Sequence, residues 1–136
     1  MVQASSYRPR LETLKQALDS FEKALEIETA PKDPVEADAI RNGQALKFGY
    51  CMELLWKAMK SFLYEQHGIE CNSPKSCIKF FFQNTNISES DYRQLNIMVN
   101  QRNELSHMYN KRIFEELLNS LPGNLTMMKK CLKEFS

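Results

Sequence analysis

The sequence has 136 residues, of which 43% are hydrophobic and 26% charged, with only 4 Gly and 5 Pro. This composition is typical of one globular domain, so we expect residues 1–136 to form a single domain, and it excludes disordered and collagen-like classes. Lys and Arg number 18 against 17 Asp and Glu, a formal net charge of +1. No global field therefore draws the protein to nucleic acid or to acidic membranes, and any contact with nucleic acid must be local.

The apolar runs and the cysteines exclude further classes. No apolar run approaches the roughly 18 to 20 residues that a membrane span needs, and the first ten residues lack the apolar core of a signal peptide. We therefore expect a cytoplasmic protein without membrane contact. The cysteines form no C-x-x-C pair, and the two histidines do not stand at metal-ligand spacing with them. We expect no bound metal and four reduced cysteines that pack as small hydrophobes: Cys51, Cys71, Cys77 and Cys131.

The first predicted helix covers about residues 7–28. Apolar residues recur there at steps of three and four with charged residues between them, which is typical of an amphipathic helix. These apolar residues are Leu11, Leu14, Leu18, Phe21 and Leu25. Pro31 and Pro34 follow, and neither can continue an intrahelical hydrogen-bond ladder. The segment 29–34 is therefore predicted to be a tight connection between antiparallel helices.

A second, longer helix is predicted over about residues 35–67, with Gly68 at its C′ position. It is apolar over most of its circumference, which places it at the centre of a bundle. We expect Trp56 to pack in the core rather than contact a ligand. Gly43 and Gly49 each cost a helix about 1 kcal/mol relative to Ala. They therefore indicate close approach by a neighbour or a local bend.

Two shorter helices follow. Ser73 and Pro74 are predicted to form an N-cap with proline at N1. Ser88 and Asp91 resemble a capping box that opens a helix running to about Met108. Both signals indicate where a helix begins.

The last helical stretch is predicted from about Arg112 to the end of the chain. Pro122 within it either kinks one helix or separates two. No segment alternates with period two for long enough to predict a strand. The sequence therefore predicts an all-α, up-and-down bundle of about five helices.

The fourth predicted helix carries an unusual polar stripe. Positions spaced by four, three and four hold Asn96, Asn100, Asn103 and His107. Asn is a mediocre helix former, so the stripe indicates a use beyond helix stability. On a regular helix, Asn103 and His107 lie one above the other.

Arg102 occupies a place in the adjacent apolar row where the pattern predicts a hydrocarbon side chain. We expect it to be partly buried, and a buried guanidinium must be paired or must face an anion site. Two interpretations stay open: a salt bridge to a neighbouring helix, with Glu53 as a candidate partner, and a functional site. Arg102 and His107 lie about 140° apart on a regular helix. A shared site therefore requires a distorted helix end, a wrapped arginine side chain or a second subunit.

Two motifs resemble a known family. Residues 102–109, R-N-E-L-S-H-M-Y, resemble the R-x4-H-x-Y motif of the HepT-type HEPN domains, which include nucleotidyltransferase substrate-binding subunits. Residues 53–57, E-L-L-W-K, resemble the E-L-x-W-K stretch on the central helix of that family. The order of the helices also agrees, so the resemblance extends over most of the chain. It implies a four-helix-bundle-like HEPN domain.

The resemblance implies a metal-independent ribonuclease toxin of a toxin-antitoxin pair. RNA is the implied substrate, with tRNA as one candidate. His107 would act as acid or base, Arg102 would hold the phosphate, and Asn103 would orient His107 or the phosphate. The sequence has no Asp/Glu cluster of the kind that a two-metal nuclease needs, so we expect no cofactor.

The resemblance also implies a partner, a cognate minimal nucleotidyltransferase that adds AMP to Tyr109 and silences the toxin. Polar residues follow Tyr109, so we expect its hydroxyl group in solvent, although a core position is the alternative. We further expect a homodimer with the fourth helix near its two-fold axis, because two copies would bring both motifs around one cleft.

Two other functions stay open. In the first, the chain is a non-catalytic nucleotide- or substrate-binding subunit of a two-component nucleotidyltransferase. Arg102, Asn103 and His107 would then bind phosphate or ribose. In the second, the chain is a plain dimeric helical scaffold.

Overall fold

The structure is a computed structural model, and it describes residues 7–135. These residues form α1 (Tyr7–Leu25), α2 (Pro34–His67), α3 (Pro74–Asn84), α4 (Glu89–Asn103), a 3₁₀ helix (Glu104–His107) and α5 (Lys111–Leu132). No strand occurs within this range. The predicted all-α bundle of five helices is confirmed. No helix in the described part of the chain combines the length and the apolar character needed to cross a membrane.

The central helix of the bundle is α2, as predicted. It packs against each of the other four α-helices. Its largest fully buried side chains are Phe48, Met52, Leu55, Met59 and Leu63. Trp56 is partly buried and packs against this core, which confirms the packing part of its prediction. Gly68 ends α2 with a φ of 66°, a left-handed conformation that favours glycine.

The first two helices run antiparallel, as predicted. At the start of α1 the Tyr7 N–H group donates to the Glu65 carboxylate near the end of α2 (3.0 Å). Near the start of α2 the Gln44 amide donates to the carbonyl oxygen of Ala24 (2.8 Å). Leu25 ends α1 slightly before the predicted position, and the chain then tightens into a turn in which the Ile27 N–H group donates to the Ala24 carbonyl (3.3 Å).

The predicted caps of α3 and α4 are both present. The Ser73 hydroxyl accepts the N–H group of Ser76 at 3.2 Å. Ser88 and Asp91 form a reciprocal capping box, with N–H to oxygen distances of 2.9 and 3.0 Å. Lys130 of α5 also pairs with Asp91 at 2.8 Å, and this contact lowers the pKa of the Asp91 carboxyl group. The start of α4 is therefore attached to α5.

Pro122 does not split the last helix, because α5 continues through it. A proline inside a helix costs about 3 kcal/mol, since it removes one backbone donor and crowds the preceding turn. Full burial of a leucine contributes about 1.5 to 3 kcal/mol. Apolar side chains on both sides of Pro122 are buried, so packing outweighs the cost of the proline: Leu117, Leu121, Leu125 and Met128.

Only two of the four cysteines are the expected small hydrophobes. Cys51 and Cys131 are free thiols, and burial raises the pKa of each to about 12, so both stay protonated at neutral pH. Cys71 and Cys77 form a disulfide, and the prediction that they are reduced is wrong. The turn after α2 brings the Cys71 segment against the first turn of α3. The two Cα atoms are 5.2 Å apart, which is within disulfide range.

Candidate functional site

The R-x4-H-x-Y residues lie where α4 ends and α5 begins. The α-helix stops at Asn103, and residues 104–107 continue as a 3₁₀ helix. Asn110 then caps α5: its side chain accepts the Ile113 N–H group (3.2 Å), while its own N–H group donates to the His107 carbonyl (2.9 Å). The helix end is thus distorted, which is one of the three arrangements considered for this motif.

A close approach between α2 and the 3₁₀ helix accompanies this distortion. The Leu105 side chain occupies the space that a Cβ atom on Gly49 would need. The predicted close approach is confirmed for Gly49. Gly43, in contrast, has no atom within 4 Å of its Cβ position. Leu105 also packs against the core, but it is only partly buried, and no residue of the 3₁₀ helix is fully buried.

Arg102 pairs with Glu53 of α2 at 3.1 Å, the partner considered from the sequence. Its side chain is 43% exposed, so more than half of its surface is covered, in agreement with the expectation of a partly buried residue. The helix ends one residue after Arg102 and the chain continues as an exposed turn, which leaves the guanidinium open to solvent. Arg102 can therefore pair with Glu53 while its guanidinium stays accessible to an anion.

Glu53 joins the two motifs by accepting three donors. Its carboxylate accepts the Trp56 indole N–H group (3.0 Å) and pairs with Lys57 (3.3 Å) and Arg102 (3.1 Å). Partial burial raises the pKa of Glu53, but the hydrogen bonds from Trp56 and Lys57 and the charge of Arg102 outweigh it. The pKa of Glu53 is therefore lowered. Its negative charge holds the Arg102 guanidinium against α2.

Arg102 and Asn103 line an open groove of about 530 Å³ between α2 and the end of α4. Its other lining residues are Leu46, Gly49, Tyr50, Leu105 and Ser106. In a 3₁₀ helix, side chains three residues apart eclipse, so Ser106 takes the place beside Asn103 that the sequence predicts for His107. The regular α-helix on which the predicted stacking of Asn103 and His107 rests therefore ends before His107.

His107 and Tyr109 form a second cluster outside this groove, which we call the His107–Tyr109 surface. Their ring centroids are 6.2 Å apart. Tyr109 is 84% exposed, so its predicted place in solvent is confirmed and the core alternative is wrong. Lys111 and Arg112 follow in the first turn of α5, which contains no acidic residue. Lys111 and Arg112 therefore place positive charge next to this surface, and Arg112 also pairs with Glu116 at 3.9 Å.

Comparisons with known proteins identify the family of this chain. Residues 9–136 match the family described as nucleotidyltransferase substrate binding protein like. The chain belongs to this family. No curated protein matches the sequence.

Solved structures share the fold of this substrate-binding-like family member. A crystal structure of a Thermus thermophilus protein is 25% identical, with a TM-score of 0.79, over 90% of this chain and 98% of that one. A crystal structure titled as a toxin-antitoxin with AMP-PNP is 12% identical, with a TM-score of 0.69, over 98% and 100% of the two chains. At that identity the second likeness shows the fold alone.

One copy of the substrate-binding-like chain does not bring all predicted site residues together. Arg102 and Asn103 share the groove, whereas His107 and Tyr109 lie outside it, and no side-chain hydrogen bond between described residues joins the two pairs. Asn96 donates to a backbone carbonyl one turn earlier, and Asn100 is exposed at another cavity. Within residues 7–135, no group of three or more His, Cys, Asp or Glu side chains could hold a metal ion.

Sequence reasoning missed Leu46, Tyr50 and Ser106 as groove residues. Leu46 and Tyr50 are both more than half exposed, although each is a large apolar side chain. Their spacing could have identified them, because positions 46, 50, 53 and 57 follow one face of α2. No local signal could have identified Ser106, since its place depends on the 3₁₀ geometry.

Proposed function

We propose that this chain is a HepT-like HEPN protein that acts in the cytosol as a metal-independent ribonuclease toxin of a toxin-antitoxin pair. The observation that carries the proposal is the R-x4-H-x-Y motif on an exposed turn, where Tyr109 projects into solvent beside His107. The family name supports a nucleotidyltransferase as partner. The structural likeness to a toxin-antitoxin crystallised with AMP-PNP supports the same system.

The proposed reaction is cleavage of RNA by its own 2′-hydroxyl group. The 2′-oxygen attacks the adjacent phosphorus and the 5′-oxygen leaves, which gives 2′,3′-cyclic phosphate and 5′-hydroxyl ends. The His107 imidazole can take the proton of the 2′-hydroxyl or give one to the leaving oxygen. Arg102 stabilises the charge on the phosphate, and Asn103, in the same groove, orients it.

A second copy of the chain completes the site in this proposal. In one copy, His107 lies outside the groove that Arg102 and Asn103 line. Leu46 and Tyr50 leave apolar surface exposed at that groove, and apolar surface gains free energy when a partner covers it. A two-fold dimer brings the same face of both copies together, so His107 of one copy can approach the groove of the other.

Sedimentation velocity tests the dimer. We expect the native chain to sediment as a dimer at micromolar concentration, and Tyr50→Glu to sediment as a monomer because it places a charge in the interface. Tyr64→Glu, which alters another exposed tyrosine of α2, is the control and should remain dimeric. A native chain that is strictly monomeric contradicts the dimer.

Incubation of the purified protein with tRNA and EDTA tests the ribonuclease. We expect 2′,3′-cyclic phosphate ends, and a loss of rate of about 10² to 10⁴-fold in Arg102→Ala and in His107→Ala, with unchanged circular dichroism. His67→Ala is the matched control, because His67 is the other histidine of the chain and lies at the end of α2. Cleavage that survives both changes, or that requires added metal, would show that other residues or a contaminating nuclease cleave the RNA.

Tyr109 is the proposed point of control. The phenolic oxygen attacks the α-phosphorus of ATP, the bond to the β-phosphate breaks, pyrophosphate leaves and the phenol loses its proton to the partner enzyme or to solvent. The added AMP brings a phosphate to the cationic His107–Tyr109 surface and an adenosine that excludes RNA.

Intact-mass spectrometry tests this modification. With ATP, Mg²⁺ and the cognate nucleotidyltransferase, we expect one or more increments of AMP mass and loss of cleavage. Tyr109→Phe should prevent the adduct, while Tyr64→Phe, at another exposed tyrosine, should not. An adduct that persists in Tyr109→Phe refutes the assignment.

A second candidate function is a non-catalytic nucleotide- or substrate-binding subunit of a two-component nucleotidyltransferase. The family name favours it, as does the separation of His107 from the groove within one copy. Arg102, Asn103 and His107 would then bind phosphate or ribose. The tRNA assay separates the two candidates, because this second function predicts intact tRNA under every condition.

A further inference from the structure

A second surface, away from the R-x4-H-x-Y residues, combines cationic and aromatic side chains. It is a cavity of about 280 Å³ between α1 and α2, which we call the α1–α2 cavity. Three cations, two aromatic rings and one hydroxyl group line it: Arg10, Lys57, Lys60, Trp56, Tyr64 and Ser61. The cavity shares no lining residue with the Arg102 groove.

Two of the three cations are available to a ligand. Lys57 is paired with Glu53, whereas Arg10 and Lys60 form no ion pair with any carboxylate in the described part of the chain. Both are exposed, and they come from different helices, so positive charge reaches the cavity from both walls. A guanidinium binds phosphate oxygens through paired hydrogen bonds, and an ammonium group adds a point charge.

The two aromatic side chains provide ring surface next to these cations. The Trp56 indole N–H group donates to Glu53, which holds the ring in place and satisfies its only donor. Tyr64 is more than half exposed. Sites for single-stranded nucleic acid use this combination, because rings stack on bases while cations bind the phosphates. The volume is near the lower limit of roughly 300 Å³ for ligand pockets, so it suits a single nucleotide.

We propose that the α1–α2 cavity binds a nucleoside phosphate, with the base against Trp56 and Tyr64 and the phosphate on Arg10 and Lys60. The ligand is a free mononucleotide or one nucleotide of a single-stranded RNA, which offer the same base and phosphate. The cavity is separate from the site of the proposed ribonuclease, since no residue of the R-x4-H-x-Y motif lines it.

Trp56 is the only tryptophan of the chain, so its fluorescence reports directly on the cavity. Excitation at the red edge of indole absorption avoids adenine. The full-length protein is titrated with AMP and, separately, with a 2′-O-methyl oligoadenylate, which lacks the hydroxyl group needed for cleavage. Because a stacked base quenches indole, we expect saturable quenching. Similar midpoints identify a mononucleotide ligand, a much lower oligonucleotide midpoint identifies RNA, and either result supports the site. Absence of saturable quenching by both overturns the proposal.

Variants locate the bound nucleotide. Arg10→Ala combined with Lys60→Ala should weaken binding by about tenfold or more, because two charge-assisted contacts to the phosphate are lost. Lys79→Ala, at another exposed lysine without an ion pair in residues 7–135, should leave the affinity unchanged.

Asn103→Ala should change the affinity by less than about twofold, since Asn103 lines the Arg102 groove and lies outside the cavity. This result would stand even if the ribonuclease proposal failed. Unchanged affinity in the double variant, or loss of quenching in Asn103→Ala, would show that the nucleotide binds elsewhere and would overturn the assignment.

Discussion

The two ends of α4 contrast sharply. At its start, Asp91 is only 6% exposed, and it is held by a capping box with Ser88 and by an ion pair with Lys130 of α5. At its end, the chain passes from Asn103 into a 3₁₀ helix in which no residue is fully buried. Arg102, in the last turn, keeps much of its side chain in solvent. The buried end fixes the position of the helix, and the exposed end presents polar groups.

This contrast teaches that stability and the candidate chemistry belong to different parts of one helix. Buried, fully bonded groups contribute to the free energy of unfolding, whereas exposed groups contribute little to it. Substitutions in the buried part of α4 should therefore unfold the protein more easily. Substitutions at the exposed end should change activity with little effect on stability.

The largest expected effect is at Leu95, which is fully buried in α4. Leu95→Ala should lower the free energy of unfolding by about 2 to 5 kcal/mol, because it removes apolar contacts and leaves a cavity. Urea denaturation followed by circular dichroism measures this loss. Ile97→Ala, on the exposed side of the same helix, is the control and should change stability by less than about 0.5 kcal/mol. Equal effects would contradict the contrast.

The next largest effect is expected at Asp91. Asp91→Asn should lower the free energy of unfolding by about 1 to 2 kcal/mol at neutral pH, because the ion pair with Lys130 is lost and the cap is weakened. The Lys130 contact lowers the pKa of Asp91, so the carboxylate stabilises the fold above its ordinary pKa of about 3.9. That stabilisation disappears as the pH falls through the lowered value.

Urea denaturation across a pH series checks this expectation. The difference between the native protein and Asp91→Asn should shrink below about pH 4. Glu89→Gln, in an exposed pair with Arg93, is the control and should cost about 0.5 kcal/mol or less. A difference for Asp91→Asn that stays constant across the series would exclude titration of Asp91 as its cause.

Two glycines of α2 form a matched pair with a smaller expected effect. Gly43→Ala should stabilise the protein by up to about 1 kcal/mol, because alanine favours the helix and its Cβ meets no neighbour. Gly49→Ala gains the same propensity but displaces the Leu105 side chain, so its net stabilisation should be smaller.

Thermal unfolding and amide chemical shifts separate the two glycine variants. Shifts around residues 104–107 should move in Gly49→Ala and stay unchanged in Gly43→Ala. If both variants leave those shifts in place, the contact between Gly49 and Leu105 does not position the 3₁₀ helix.

The smallest expected effect is at His107, an exposed residue in the 3₁₀ helix. His107→Ala should change the free energy of unfolding by less than about 0.5 kcal/mol, since no buried contact is removed. The same urea titration measures it. A larger loss would mean that the exposed end of α4 contributes to the fold as well as to the candidate site.

Most of the fold could be predicted because its signals are local. The spacing of apolar residues identified the helices, and Ser88 with Asp91 marked the start of α4. The groove could not be predicted, because the 3₁₀ geometry that puts Ser106 beside Asn103 occurs where Leu105 packs at Gly49, far away in the sequence.

Two other features also depend on tertiary structure. The pairing of Cys71 with Cys77 requires the turn that follows α2. The continuity of α5 through Pro122 requires buried side chains on both sides of the proline. Neither the disulfide nor the packing around Pro122 has a signature in the local sequence.

Because Glu53 accepts three donors, it can lose its contact with Arg102 and remain bonded to the other two. A phosphate that enters the groove can take the guanidinium from Glu53, and the carboxylate still keeps its bonds from Trp56 and Lys57. No desolvated charge is left unpaired by this exchange, which is the usual reason that breaking an ion pair is costly. In the proposed reaction, the Glu53 carboxylate therefore holds the arginine side chain at the groove until a phosphate binds.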